Sequence, residues 1–120
     1  MTQEQKDLLL QDLCSRLPYG VKVLYENEIF DVEHVCPMYE EVKLDIPETW
    51  TIGVSEVKPY LFPLDKISGD MWSEYLATCV GGNASFPTLK SFEWCNEHHI
   101  DYRDLIPMGL ALDATGLNIY

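Results

Sequence analysis

Cys95 and His98 stand three residues apart, and His34 and Cys36 two apart, in a chain of 120 residues. Thiolate and imidazole are the ligands zinc prefers. Side chains at i and i+3 share a helix face, so Cys95 and His98 on a helix would reach one ion. His34 and Cys36 would complete the set from a strand. A structural zinc site needs four converging ligands, and one C-x-x-H without a second local pair equally describes a buried thiol beside helix-end histidines. His98 and His99 at such an end complement the negative pole of the helix dipole. The second reading is favoured, and no metal or other cofactor is expected.

The same region offers a proton-transfer constellation. His98 or His99 would act as general base, Asp101 or Asp104 would fix its tautomer, and Arg103 would hold an anion. The competing reading is a charged turn in which Asp101 caps the next segment and Arg103 pairs with a nearby acid. No nucleophile stands in a recognisable turn such as G-x-S-x-G. Gly81-Gly82-Asn83 lacks the glycine spacing and lysine of a phosphate loop.

Carboxylates dominate the remainder. Residues 26–56 hold nine acids and one base, so −8 of the formal net charge of −12. Glu26, Glu28, Asp31, Glu33, Glu40, Glu41 and Asp45 form the candidate interaction surface. Clustered carboxylates disfavour nucleic-acid backbones and anionic membranes and favour basic partners. There is no D-x-D-x-D-G loop for calcium. The plain alternative is a solvated sheet face that keeps the protein soluble. Tyr60, Phe62, Trp50, Trp72 and Trp94 could supply aromatic anchors for a partner, although such residues more often fill a core.

A composition of 47% hydrophobic residues supports a packed domain rather than a disordered chain. The length suits a single domain, 1–120. No window approaches the roughly 18 to 20 apolar residues of a membrane span. The polar, acidic start is unlike a secretory signal, so a cytoplasmic setting is expected. Cys14, Cys36, Cys79 and Cys95 are scattered, without a C-x-x-C pair, and read as reduced structural thiols.

The elements that must position these groups follow from periodicity. Thr2 with Gln5 makes a capping box, and Leu9, Leu13 and Leu17, flanked by Leu10 and Cys14, make an apolar stripe, so residues 2–17 form a helix ended by Pro18 and Gly20. Its outer face carries both signs of charge. Residues 21–25, 29–36, 38–46 and 50–54 read as strands of an antiparallel meander, with Phe30, Val32, His34 and Cys36 on one face of the second. Pro59 and Pro63 argue against a central strand over 56–64, so an irregular crossing packed on the sheet is expected there. Residues 68–80 read as a helix stopped by Gly81-Gly82. A further helix begins at Pro87 and runs to about His98, with Leu89, Phe92 and Cys95 facing inward. Residues 101–106 look like one more helical turn. The apolar tail, Leu-Ala-Leu-Asp-Ala-Thr-Gly-Leu-Asn-Ile-Tyr, should be tied down.

Three segments carry a resemblance: residues 6–21 (Lys-Asp-Leu-Leu-Leu-Gln-Asp-Leu-Cys-Ser-Arg-Leu-Pro-Tyr-Gly-Val), 57–64 (Val-Lys-Pro-Tyr-Leu-Phe-Pro-Leu) and 101–114 (Asp-Tyr-Arg-Asp-Leu-Ile…Gly-Leu-Ala-Leu-Asp-Ala). Together they resemble a family of short uncharacterised proteins of Bacteroides-type gut bacteria and their phages. That family has no established activity and so assigns no catalytic residue. The resemblance implies a cytoplasmic, prophage-derived context.

The sequence therefore predicts an α+β domain: an N-terminal helix, a small antiparallel sheet of three to five strands whose closure into a barrel periodicity leaves open, and two or three C-terminal helices. The expected function is that of a non-enzymatic acidic accessory protein whose partner is another protein, with no direct nucleic-acid or membrane contact. The alternatives are a DNA mimic that blocks a basic nucleic-acid-binding protein, and a small hydrolase or metal-dependent enzyme using His98, His99 and nearby acids. The oligomeric state stays open.

Overall fold

Thr2 starts the first helix as its spacing predicts. Its hydroxyl accepts the Gln5 N–H at 3.1 Å, and the Gln5 side-chain carbonyl accepts the Thr2 N–H at 3.0 Å. The computed structural model, which describes residues 1–47 and 51–120, extends this helix (α1) over Gln3–Arg16. Leu9, Leu10 and Leu13 are buried along it, whereas Cys14, predicted to flank the stripe, is exposed.

The fold class is α+β. Strands β1 (Lys22–Tyr25), β2 (Glu28–Cys36), β3 (Glu41–Leu44) and β4 (Ile52–Gly53) form the predicted antiparallel meander. The proposed start of the fourth strand at Trp50 lies outside the described residues. Glu26 and Asn27 form the first hairpin turn with φ of 48° and 66°, left-handed values that the tight turn requires. Between Val32 and His34 the β2–β3 register shifts. That bulge corrects the predicted facing of β2. Val32 opposes Leu44 and Val35 opposes Val42, so these four turn toward the core, while His34 and Cys36 pair with Lys43 and Glu41.

The segment 56–64 is not an irregular crossing. It contains β5 (Lys58–Pro63), which lies inside the strand order β4-β3-β2-β1-β5-β6. The prolines are tolerated because each ladder on β5 is short and none needs a proline amide. Antiparallel β1 reaches only Lys58 and Pro59. Beyond it, the Phe62 N–H donates to the His99 carbonyl at 2.8 Å, and the Leu61 carbonyl accepts from the Ala114 N–H at 2.9 Å. These belong to two short parallel partners, β6 (Ile100–Asp101) and β7 (Leu112–Asp113). The sheet is thus mixed, in place of the antiparallel one of three to five strands expected, with seven strands among the described residues; the question of barrel closure, which the sequence leaves open, is answered by an open sheet. Residues 101–106 are correspondingly a strand end and a turn, not a helix.

Helices α2 (Gly69–Ala77) and α3 (Leu89–Glu97) follow β5. Tyr75 and Cys79 from α2 and its end meet Cys95 and Ile100 in a second core cluster, apart from the main core under α1 and the sheet. Leu89 and Phe92 do not face inward as predicted. Ser91, Cys95 and Asn96 do, because hydroxyls line the α2–α3 contact: Thr78 Oγ1 donates to Ser91 Oγ at 2.8 Å. The tail is tied down, by β7 and by Tyr120. Among the described residues, no helix is long and apolar enough to cross a membrane.

Candidate functional site

Cys95 is fully buried on α3, where burial pushes its thiol up to about 12. His98 ends that helix with its ring stacked on Trp94 at 4.4 Å and Nδ1 2.9 Å from the Trp94 carbonyl. His34 and Cys36 lie on β2, which packs in the other core cluster. Among the described residues, no three His, Cys, Asp or Glu side chains gather to hold a metal ion.

The proton-transfer constellation is dispersed into structural work. Asp101 accepts the Leu105 and Ile106 N–H groups at 3.0 and 2.9 Å, the capping role set out above. Arg103 donates to Asp12 Oδ1 at 2.7 Å and lies 4.5 Å above the Tyr102 ring. His99 sits at φ 61° with its ring against Tyr120, and burial together with the charges of Arg16, His98 and Lys22 lowers it to about 4. A base that weak is poorly matched to catalysis near neutral pH.

A charge cluster that the spacing did not reveal lies behind this turn. Asp12 and Arg16 look like an ordinary i, i+4 surface pair, yet both are fully buried. Arg16 Nε and Nη2 donate to Asp12 at 2.8 and 3.0 Å, and Nη2 also reaches the Ile100 carbonyl at 2.8 Å. Asp12 receives a second cation from Arg103, so its carboxylate is bridged by two guanidiniums. Every polar contact points inward to protein, so this cluster joins α1 to β6 and the following turn.

The carboxylates proposed as an interaction surface are exposed or half-buried, and several are neutralised. Glu26, Glu28, Asp31, Glu33 and Asp45 are exposed, and Glu40 and Glu41 half-buried. Asp31 pairs with Lys22 at 2.8 Å, Glu33 with Lys43 at 3.6 Å and Glu40 with Lys6 at 3.5 Å. β2 carries Glu28, Asp31 and Glu33, which span roughly 17 Å of the strand at about 3.3 Å per residue. At its far end the turn Pro37–Tyr39 displays Met38 and Tyr39, 85% and 72% exposed, beside Glu40 and Glu41. Of the aromatics considered, Tyr60 is buried, Phe62 and Trp94 are half-buried, Trp72 is exposed, and Trp50 lies outside the described residues.

A concavity lies elsewhere. A cleft of about 480 Å³ opens where the three parallel strands end: Pro63 of β5, Asp101 of β6 and Asp113 of β7 all line it. Trp72 and Tyr75 of α2 form one wall, with ring centroids 5.7 Å apart. Asp65, Lys66 and Asp104 complete its charged lining. Asp113 accepts from Lys66 Nζ at 3.0 Å and from the Thr115 N–H and hydroxyl, and the Thr115 bonds lead in holding it down to about 2. No sequence motif pointed here, because the cleft gathers residues from 63–75 and 101–113 through pairings that periodicity does not encode. The chain matches no family model, no curated protein and no solved structure.

Proposed function

We propose that this is a non-enzymatic binding protein of a cytoplasmic, prophage-derived setting, and that its partner is another protein with a basic surface. The contact face is the outer side of β2 and β3 with the Pro37–Tyr39 turn. The observation that carries this reading is the pair Met38 and Tyr39, left in solvent at the head of a row of carboxylates. Burying one large apolar side chain is worth about 1.5–3 kcal/mol, so exposing two adjacent ones forgoes stability that a partner would restore. Met and aromatic residues are enriched at the centres of interfaces, where a ring of charge steers the encounter.

The test is a pull-down from native lysate with three baits: wild type, Met38→Ser with Tyr39→Ser, and Glu28→Gln with Glu33→Gln. The expected result is a basic protein retained by wild type, released as salt rises, and lost from both variants. Equal capture by all three baits would overturn the assignment of this face.

A further inference from the structure

The cleft at the ends of β5, β6 and β7 shares no residue with the β2–β3 face. We propose that it is a second binding site, one that takes an alkylammonium group, the cationic amine of an aliphatic chain.

Its location is the first argument. Ligand crevices in sheets with parallel strands form beyond the carboxyl ends of those strands, where the connections diverge. Here the three strands that run parallel deliver Pro63, Asp101 and Asp113 to one opening. At about 480 Å³ the cleft falls within the range of small-molecule sites.

Its lining is the second. The floor and wall are largely apolar, with Leu64, Ile106, Trp72 and Tyr75, and would cover a methylene chain. An ammonium group above the exposed Trp72 ring would gain cation–π attraction. The charged members then set the sign of the ligand. Four aspartates face one lysine, and two of the four already have partners. Asp101 accepts a backbone N–H on each oxygen, and Asp113 is engaged by Lys66 and Thr115. Asp65 and Asp104 are exposed and make no ion pair among the described residues, so they are the carboxylates available to a cation. A bare metal ion would use the apolar wall for nothing, and an anion would meet net negative charge.

Isothermal titration calorimetry at low salt with spermidine and with an acetylated, amidated lysine peptide tests this. Either should bind saturably at one site. Spermidine binding more tightly assigns a free polyamine, and the peptide binding more tightly assigns a protein lysine. Trp72→Ala and Asp104→Asn should each weaken binding roughly fivefold, the size of a partly desolvated cation contact. Asn tolerates the left-handed backbone at Asp104, so that variant should fold, as circular dichroism would check. Glu4→Gln, in the first turn of α1, which does not line the cleft, should leave the affinity unchanged. The proposal is overturned by the absence of saturable heat with both probes, by equal weakening in Glu4→Gln, or by magnesium chloride displacing the probe more strongly than sodium chloride of equal ionic strength.

Discussion

The imidazole of His99 lies flat against the ring of Tyr120, with centroids 3.6 Å apart and planes 13° from parallel. Its Nδ1 is buried without a hydrogen-bond partner. A protonated ring there would be a charge withdrawn from water and set near Arg16, His98 and Lys22, all of which disfavour it.

Stability should therefore fall on mild acidification. His99 titrates at about 4 in the folded chain and near 6.5 when unfolded. As the pH drops, the unfolded chain takes the proton first, so the contribution of the neutral ring is complete above about pH 6.5 and is lost as pH falls through about 4. After discounting for partial solvent access, the loss is on the order of 2 kcal/mol. Urea denaturation at pH 7 and pH 4.5 should show this extra loss in wild type and not in His99→Asn, a replacement that suits the left-handed backbone. Parallel behaviour of the two proteins would mean that the ring titrates normally.

Asp12→Ala should be among the most damaging single changes. It strands the fully buried Arg16 and releases Arg103. Removing one partner of a buried pair costs about 3–5 kcal/mol, because the other charge stays desolvated. Arg103→Ala, which leaves the Asp12–Arg16 bond intact, should cost about 1 kcal/mol. Urea midpoints would measure both, and the double variant should cost less than the sum, since the two arginines share one carboxylate.

Tyr120→Phe isolates a third contact. The Tyr120 hydroxyl accepts the Lys22 N–H at 2.9 Å and donates to the Tyr60 carbonyl at 2.8 Å. It thus bridges β1 and β5 where their two-residue ladder stops. Deleting the hydroxyl should cost about 1–2 kcal/mol and accelerate hydrogen exchange at the Lys22 amide. Unchanged exchange at Lys22 would show that the bridge is not maintained in solution.

The parts legible in the sequence are those whose causes are local. The Thr2–Gln5 box and the leucine stripe fix α1 within a few turns, and the alternation in 21–36 fixes the first hairpin. The misreadings share the opposite property. Asp12 and Arg16, which no motif singled out, carry an exposed-pair spacing, and their further polar partners Cys95, Ile100 and Arg103 stand 79 or more positions after Arg16. Pro59 and Pro63 argue against a strand until the partners of β5 prove too short to need their amides. One extra residue near His34 reverses the facing of β2, and nothing in the hydrophobic pattern announces it. For the candidate sites, the carboxylates were visible as composition. The cleft was not, since its walls meet only after parallel pairing.

Arg16 has a consequence for synthesis. Its guanidinium finds its carbonyl acceptors on Cys95 and Ile100, the latter 84 positions downstream. A chain still emerging from the ribosome holds the cation and Asp12 together but lacks the walls that enclose them. The leucines of α1 can pack on the first strands early, yet Asp12 and Arg16 keep an open side until Cys95, Ile100 and Arg103 have been made. Closure of that charge cluster is thereby deferred until residues 95–103 arrive, and stalled fragments ending before that point would remain open to proteases.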